Sequence, residues 1–181
     1  MRIAVLSDIH DNVWKLAPAL EFAAGAGALI CCGDLCSPFI LDQLARGFSN
    51  PVHIVFGNND ADTFRITAKA AKYPHVRLRG EFFEDEFGGR RVAVNHFDNI
   101  ALAIARGGEY DAVFYGHNHV FDIRKSGART LAVNPGAIMG CRFDAQANRV
   151  EVASTFAVYD TETGTAQGYR IGAGGEVAPH P

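Results

Sequence analysis

The N-terminal stretch "MRIAVLSDIHDN", residues 1 to 12, places a short apolar run directly before a group of polar residues. Ile3 to Leu6 has the length and composition of a buried strand. Ser7 and Asp8 end this run, and Asp8 carries a carboxylate that can bind a metal ion. The stretch therefore predicts a first strand that brings a metal-binding side chain to the edge of a sheet.

Two more stretches have the same form, an apolar run that ends in glycine and a polar residue. They are Ala28 to Cys32 followed by Gly33-Asp34, and His53 to Phe56 followed by Gly57-Asn58. Helix-like stretches separate the runs, with Asn12 and Ser37 as N-caps and Gly25 and Gly47 as stops. Pro18 predicts a start or a kink in the first helix. Strands that alternate with helices predict a parallel sheet, which binds ligands at the carboxyl ends of its strands.

The second half of the chain has the pattern of antiparallel hairpins. Turns are expected at Gly88-Gly89, at Ser126-Gly127 and near Glu162 to Gly164. Residues 101–110, "ALAIARGGEY", predict a short helix closed by glycines. No linker or repeat divides the chain, so we expect a single domain over residues 1–181 in which two sheets pack as layers.

The composition excludes several classes of protein. The 181 residues are 48% hydrophobic and carry a formal net charge of -3, and the absence of basic clusters argues against a polybasic nucleic-acid surface. Cys31, Cys32 and Cys36 lie close together, but the first two fall in an apolar run and fit core packing better than a zinc site. Reduced thiols and an N-terminus without a signal or membrane segment predict a cytoplasmic protein.

Seven polar side chains at five predicted strand ends could bind metal ions. They are Asp8, His10, Asp34, Asn58, His96, His117 and His119. In extended backbone, residues two apart point to one side, so the pairs Asp8 with His10 and His117 with His119 can share a site. Carboxylate, carboxamide and imidazole ligands favour Mn, Fe, Ni, Co or Zn. Seven ligands exceed the needs of one catalytic metal and suit two.

The order of these residues along the chain resembles the calcineurin-like metallophosphoesterase superfamily. The motifs are Asp8-x-His10, Gly33-Asp34, Gly57-Asn58-Asn59-Asp60, His96 and Gly116-His117-Asn118-His119. The N-terminus and Asn134 to Ala137 are similar to its branch of small bacterial and archaeal phosphodiesterases, which is related to the retromer subunit Vps29. The resemblance implies an α/β fold, a four-layer α/β/β/α sandwich of two mixed β-sheets with the metals at the sheet edges.

The resemblance also implies a role for each predicted ligand. Asp8, His10 and His119 bind the first divalent metal ion, Asn58, His96 and His117 bind the second, and Asp34 bridges the two. The implied reaction is hydrolysis of a phosphate diester by a hydroxide that bridges the metals, with manganese as the expected metal. Asp34, Asn58 and Asn59 are the expected catalytic residues.

Two positions depart from the pattern of the superfamily. Many members have a histidine after the residue equivalent to Asn58, and that histidine protonates the leaving group, but Asn59 cannot act as a general acid. Asn59 matches the phosphodiesterase branch and favours diesters with stable leaving groups. Asp98 stands where relatives have the second histidine of His-Gly-His. Asn59 and Asp98 are the expected substrate contacts, and for Asp98 a hydrogen bond to a ligand histidine, weak metal ligation and simple exposure to solvent stay open.

Other functions and partners are weighed against this prediction. The alternative activities are those of a phosphomonoesterase or a nucleotide pyrophosphatase. A noncatalytic scaffold like Vps29 is disfavoured because every ligand position is filled. We expect a small phosphate-diester substrate and no membrane or nucleic-acid partner, and a homo-oligomer stays open. We interpret His53, His75 and His180 as structural or exposed.

Overall fold

The computed structural model describes residues 1–181 and contains strands and helices in an alternating order. In chain order the elements are β1 (Arg2–Leu6), α1 (Val13–Ala23), β2 (Ala28–Cys31), α2 (Pro38–Gly47), β3 (Val52–Ile54), α3 (Thr63–Ala70), β4 (Val76–Leu78), β5 (Phe82–Phe87), β6 (Arg90–Asn95), α4 (Asp98–Gly107), β7 (Ala112–Phe114), β8 (Asp122–Ser126), β9 (Thr130–Asn134), β10 (Cys141–Phe143), β11 (Arg149–Glu151), β12 (Ser154–Asp160), β13 (Thr165–Ile171) and β14 (Val177–His180). None of the helices is both long enough and apolar enough to cross a membrane.

The strands form two mixed sheets and one separate hairpin. The larger sheet has seven strands in the order β14-β13-β12-β1-β2-β3-β4, in which β1 to β4 run parallel and β12 to β14 run antiparallel. The smaller sheet has five strands in the order β5-β6-β7-β9-β8, with β6, β7 and β9 parallel. β10 and β11 pair only with each other. The parallel strands of each sheet therefore end at a common edge.

The residues of β1 show how the layers are built. Ile3 and Val5 are buried between the two sheets, whereas Ala4 and Leu6 are buried beneath the helices of the larger sheet. Side chains alternate between the two faces of a strand, so an apolar run of four residues supplies both cores at once. Phe114 of the smaller sheet joins the core between the sheets.

Helices cover the outer face of each sheet. Leu16 of α1, Leu41 of α2 and Ile66 of α3 are fully buried in the cluster that covers the larger sheet. Ala101 and Ala105 of α4 are buried against the smaller sheet. This is the predicted four-layer α/β/β/α sandwich.

Most of the local predictions are confirmed. α1 begins after Asn12, whose side chain accepts a hydrogen bond from the Lys15 backbone N–H. The helix does not begin at Pro18, which lies inside it. The three predicted hairpins are β5–β6, β8–β9 and β12–β13. Cys31 and Cys32 are fully buried in the core, and none of the four cysteines is paired.

Two parts of the chain differ from expectation or extend it. The C-terminal residues, for which the sequence predicted no strand, form β14, so His180 belongs to a strand that pairs with β13. The β10–β11 hairpin has no counterpart in the sequence prediction, because each of its strands has only three residues and shows no period. The single domain over residues 1–181 stays a prediction, which the core shared by the two sheets supports.

Candidate metal centre

Loops at the carboxyl ends of β1, β2, β3, β6 and β7 bring the predicted ligands together. These loops face a cleft of about 580 Å³. Its polar lining includes His10, Asp34, Asn58, Asn59, His117 and His119. Asp8 and His96, the remaining predicted ligands, are fully buried beside them. All seven predicted ligands thus meet at the edge where the parallel strands end.

A first group of ligand atoms comes from Asp8, His10, Asp34 and His119. One ligand atom from each lies within 4.8 Å of the others. His10 Nε2 is 3.2 Å from His119 Nε2 and 3.3 Å from Asp34 Oδ2. His119 Nε2 is 3.2 Å from Asp8 Oδ1, a buried oxygen that has no hydrogen-bond partner. The group therefore directs buried acceptor atoms at one point.

The hydrogen bonds of His119 show why a cation fits this point. His119 Nδ1 is 2.6 Å from the Cys141 carbonyl oxygen, so Nδ1 carries the donated proton and Nε2 of the neutral ring presents a lone pair. That lone pair faces the Asp8 oxygen, and two buried acceptors at this distance repel unless a proton or a cation lies between them. The residues present fit a divalent metal ion with oxygen and imidazole ligands.

A second group consists of Asn58, His96 and His117. His96 Nδ1 donates to the Cys32 carbonyl at 2.7 Å, which leaves a lone pair on Nε2, 3.0 Å from Asn58 Oδ1. His117 Nδ1 is 2.9 Å from the same Asn58 oxygen. His96 Nε2 is also 3.5 Å from Asp34 Oδ2. Acceptors again converge, and Asp34 Oδ2 lies between the two groups.

Two neighbours hold Asp34 in place. The Asn59 backbone N–H donates to Asp34 Oδ1 and the Asn59 side-chain amide donates to Asp34 Oδ2, both at 2.8 Å. The buried Asp60 carboxylate accepts from the backbone N–H groups of Asp34, Cys36 and Gly57 at 2.8 to 2.9 Å. Asp60 thereby ties the loop after β2 to the loop after β3. Asn59 was expected to contact the substrate, and in the structure its side-chain amide donates a hydrogen bond to Asp34.

Asp98 makes a contact that the sequence alternatives did not include. Its carboxylate accepts a hydrogen bond at 3.0 Å from the side-chain amide of Asn118, which lies between the two histidines of the β7 loop. Asn118 Oδ1 in turn accepts from the fully buried Asn134 side chain at 2.9 Å. Asp98 therefore supports the loop that carries His117 and His119, and it does not line the cleft.

The backbone at the ligand pairs is left-handed rather than extended. Asp8 and His10 have φ of 51° and 43°, and His117 and His119 have φ of 74° and 58°. The explanation from extended alternation is therefore wrong, although each pair does share a site. Tight turns bring the pairs together, and the backbone N–H groups of Ile9 and His10 both donate to the Asp34 carbonyl.

Two glycines allow the loops to approach one another. A Cβ at Gly57 would overlap Asp34 Oδ1, and a Cβ at Gly116 would overlap the side chains of Ser7 and Asp8. Glycine is required at both positions because backbone and carboxylate occupy the space that a side chain would need.

Charge is balanced inside the group of ligands. Burial alone lowers the pKa of His10, but the neighbouring carboxylates of Asp34 and Asp8 outweigh burial and raise the pKa to about 12. Burial opposes ionisation of Asp8 and Asp34, yet the neighbouring histidines lower the pKa of both carboxyl groups, and the hydrogen bonds from Asn59 add to this at Asp34. A proton on His10 therefore offsets part of the carboxylate charge in the metal-free protein.

Comparison with known proteins agrees with this geometry. The model of the calcineurin-like phosphoesterase superfamily domain matches residues 1–164. The chain belongs to this superfamily. It is therefore a metal-dependent phosphoesterase.

The chain is similar to two proteins named as phosphodiesterases and to Vps29. Phosphodiesterase MJ0936 of Methanocaldococcus jannaschii is 25% identical over 146 residues, which cover 77% of this chain and 86% of that protein. The structure of an archaeal phosphodiesterase has a TM-score of 0.76 at 23% identity and covers 93% of this chain and 98% of its own. Vps29 of Chaetomium thermophilum has a TM-score of 0.67 at 20% identity, with 99% and 96% covered. The two structures show that the fold is shared.

The cleft also contains residues that the sequence did not point to. Val120, Arg142 and Phe143 line it beside the predicted ligands. Arg142 and Phe143 belong to the unpredicted β10–β11 hairpin, and neither has a neighbouring motif that marks it. Packing of this hairpin against the His119 loop brings them to the site.

Proposed function

We propose that the protein is a phosphodiesterase that holds two divalent metal ions in the cleft. One observation carries the proposal: two groups of inward-facing acceptor atoms share the Asp34 carboxylate. Asp34 Oδ2 is 3.3 Å from an imidazole nitrogen of the first group and 3.5 Å from one of the second. A shared carboxylate of this kind is the expected bridge of a two-metal site.

In this proposal each predicted ligand keeps the role that the resemblance implied. The first metal would be held by Asp8, His10 and His119, and the second by Asn58, His96 and His117, with Asp34 shared. When bound, the two ions supply positive charge for the phosphate and lower the pKa of water at the site. Asn59 holds the Asp34 carboxylate through two hydrogen bonds and keeps it oriented between the two groups.

The preference for diesters rests on what lies beside the ligands. Asn59 occupies the position of the proton-donating histidine of the superfamily, and an amide cannot protonate a leaving oxygen. The substrates that tolerate this are esters whose leaving group is stable as an anion. A cleft of about 580 Å³ has room for a phosphate with two ester groups, and the relatives named phosphodiesterase support the same assignment.

Other functions fit the observations less well. A phosphomonoesterase or nucleotide pyrophosphatase could use the same two metals, and substrate preference separates these from a diesterase. The likeness to Vps29 extends over the whole fold and raises the scaffold alternative. A scaffold would not need the buried, unpaired oxygen of Asp8 or the facing lone pairs of His96 and Asn58.

The metal and the cellular setting are also part of the proposal. Oxygen and imidazole ligands without thiolate favour manganese, and nickel, iron, cobalt and zinc are alternatives. A Vps29 of Entamoeba histolytica has been solved with zinc, and its chain shares the fold with a TM-score of 0.68 at 19% identity. Four unpaired cysteines support a cytoplasmic location.

Metal reloading tests the proposal directly. Metal-free protein is reloaded with Mn, Ni or Zn, the bound ions are counted by calorimetry, and hydrolysis of bis(p-nitrophenyl) phosphate is compared with hydrolysis of p-nitrophenyl phosphate. We expect two ions per chain and a kcat/KM for the diester at least about tenfold higher. Faster hydrolysis of the monoester would contradict the diester assignment. Metal binding without turnover of either substrate would favour the scaffold.

A further inference from the structure

A second pocket, which we call the side pocket, opens next to the cleft. It has a volume of about 490 Å³, within the range of roughly 300 to 1,000 Å³ of small-molecule sites. His119, Val120 and Arg142 form the wall that the side pocket shares with the cleft. Its remaining lining is Phe121, Val152, Ala153, Thr155 and His180. A group bound at the metals could therefore extend past Arg142 into the side pocket.

Arg142 supplies positive charge at the boundary. It is the one lysine or arginine that lines either space, and it forms no ion pair with a carboxylate. Asp144, the nearest acid along the chain, accepts its hydrogen bonds from Gln146 and Asn148. The neighbouring Cys141 is fixed by its carbonyl bond to His119. An unpaired guanidinium beside the ligand cluster is suited to a phosphate oxygen.

The lining of the side pocket indicates what kind of group it accepts. The Phe121 and His180 rings pack edge to face, with centroids 4.6 Å apart, and Val120 and Val152 add apolar surface. No carboxylate lines the pocket. The Thr155 hydroxyl is already engaged as a donor to the Pro135 carbonyl. Rings and aliphatic side chains favour an uncharged, flat group over a cationic headgroup, which would require a carboxylate or a cage of aromatic faces.

His180 gives the pocket a hydrogen-bonding group. Burial, with the charge of Arg170 adding to it, lowers the pKa of His180, so the ring is neutral and can both donate and accept. The amide and imino groups of a nucleobase require such a partner. An aliphatic ester group carries no donor or acceptor that would pair with the His180 ring.

We propose that the side pocket binds the base of a nucleoside phosphodiester whose phosphate lies at the metal ligands and against Arg142. This inference rests on the proposed diesterase function and narrows its substrate class. Water adds to phosphorus, the P–O bond to the other ester group breaks, and the leaving oxygen gains the proton that water loses. The nucleoside keeps the phosphate and departs as a nucleoside monophosphate.

Three substrates with one leaving group test this inference. They are thymidine 5′-(p-nitrophenyl phosphate), methyl p-nitrophenyl phosphate and p-nitrophenyl phosphorylcholine, and they differ only in the ester group that stays on the phosphate. We expect kcat/KM for the thymidine ester to exceed that for the methyl ester by about tenfold or more, as binding in an apolar pocket allows. A choline ester that is the best of the three would overturn the proposal in favour of a lipid-type headgroup.

Matched variants test whether the preference for the thymidine ester arises in the side pocket. Ala153 is exposed on its rim, and Ala153→Trp is expected to reduce the ratio of thymidine to methyl ester to below about threefold. Ala128→Trp, an exposed substitution in the turn between β8 and β9, should leave the ratio as in the wild type. Arg142→Gln should lower kcat/KM for both esters alike, and Arg142→Lys should restore part of the loss.

A binding measurement gives a readout without turnover. Calorimetry on metal-free protein should show thymidine 5′-monophosphate binding more tightly than methyl phosphate, and Ala153→Trp should remove the difference. If wild type hydrolyses the methyl ester but shows no preference for thymidine, the side-pocket proposal fails and the diesterase proposal stands. If no diester is hydrolysed with any metal, the diesterase proposal itself fails.

Discussion

The core between the two sheets and the loops at the strand ends have opposite properties. Ile3, Val5 and Phe114 are fully buried, apolar and part of regular ladders. Two residues beyond the end of β1, Asp8 is equally buried but charged, with one oxygen lacking a partner. The core supplies the stability that allows this buried carboxylate to persist. Stability and function are therefore divided between β1 and the loop that directly follows it.

The core strands and the loops at the strand ends also differ in backbone conformation. Of the eight non-glycine residues with positive φ, all except Ala147 lie in the loops that follow β1, β2 and β7. Such residues cost energy and persist where the surrounding structure enforces them. Substitutions in the loops should therefore alter metal binding and turnover most, and substitutions in the core should alter the free energy of unfolding most.

Asp34→Asn is the strongest test of the loop region. Loss of the shared charge should lower kcat/KM by at least about 10³-fold, since the metals contribute several kcal/mol of charge stabilisation. Calorimetry should show that both metals bind more weakly, together. Asp42→Asn, which removes a carboxylate of α2 paired with Lys69, should leave turnover unchanged. Full activity in Asp34→Asn would disprove the bridging role.

Ile3→Ala tests the core at the start of the same strand. The side chain is fully buried between the sheets, so truncation should lower the free energy of unfolding by about 2–5 kcal/mol. Ile3→Val is the graded control, with an expected cost of about 0.5–1.5 kcal/mol. Both are measured by urea unfolding of metal-free protein. Folded Ile3→Ala should keep wild-type metal affinity, and a large loss of affinity would show that the two regions are not separable.

His53 gives the core a dependence on pH. Burial, together with the charges of Arg79 and Arg77, lowers the pKa of this side chain to about 4, and the residue is only 2% exposed. The unfolded chain binds the proton near pH 6.5 and the folded chain resists it. The contribution of the neutral His53 side chain to the free energy of unfolding is therefore fully present above pH 6.5. This contribution falls as the pH drops towards 4, by up to roughly 3 kcal/mol.

His53→Gln isolates this effect. Urea unfolding of metal-free wild type and variant at pH 7, 5.5 and 4 should show a smaller loss of stability in the variant. Glutamine keeps an acceptor for Arg79, whose Nε donates to His53 Nδ1 at 3.2 Å. Parallel stability curves for the two proteins would show that His53 does not titrate in this range.

Asp98→Asn should have the smallest effect. Asparagine can still accept the hydrogen bond from Asn118, so kcat/KM for diesters should change less than about threefold. The ratio of diester to monoester turnover should stay the same, because the carboxylate supports the loop and does not face the cleft. A clear gain in monoester turnover would instead assign the charge of Asp98 a role in substrate selection.

Much of the fold and the identities of the proposed ligands follow from local sequence. Apolar runs such as Ile3 to Leu6 are long enough for one buried strand, and glycine with a polar residue marks each end. Asp8, Asp34 and Asn58 are recognisable because they follow such runs directly. Residue type and position along the chain are local properties, so they can be read without knowing how the sheets pack.

Tertiary structure alone decided how these residues are held and what surrounds them. Asn59 donates two hydrogen bonds to Asp34, from which it is separated by 25 positions in the sequence. Asp98 accepts a hydrogen bond from Asn118, which is 20 positions away. Arg142 reaches the cleft because the Cys141 carbonyl binds His119. These contacts join loops from different strands, and their geometry depends on the packing of the two sheets and the hairpin. No local pattern encodes that packing, whereas the ligands themselves stand at strand ends that the sequence marks.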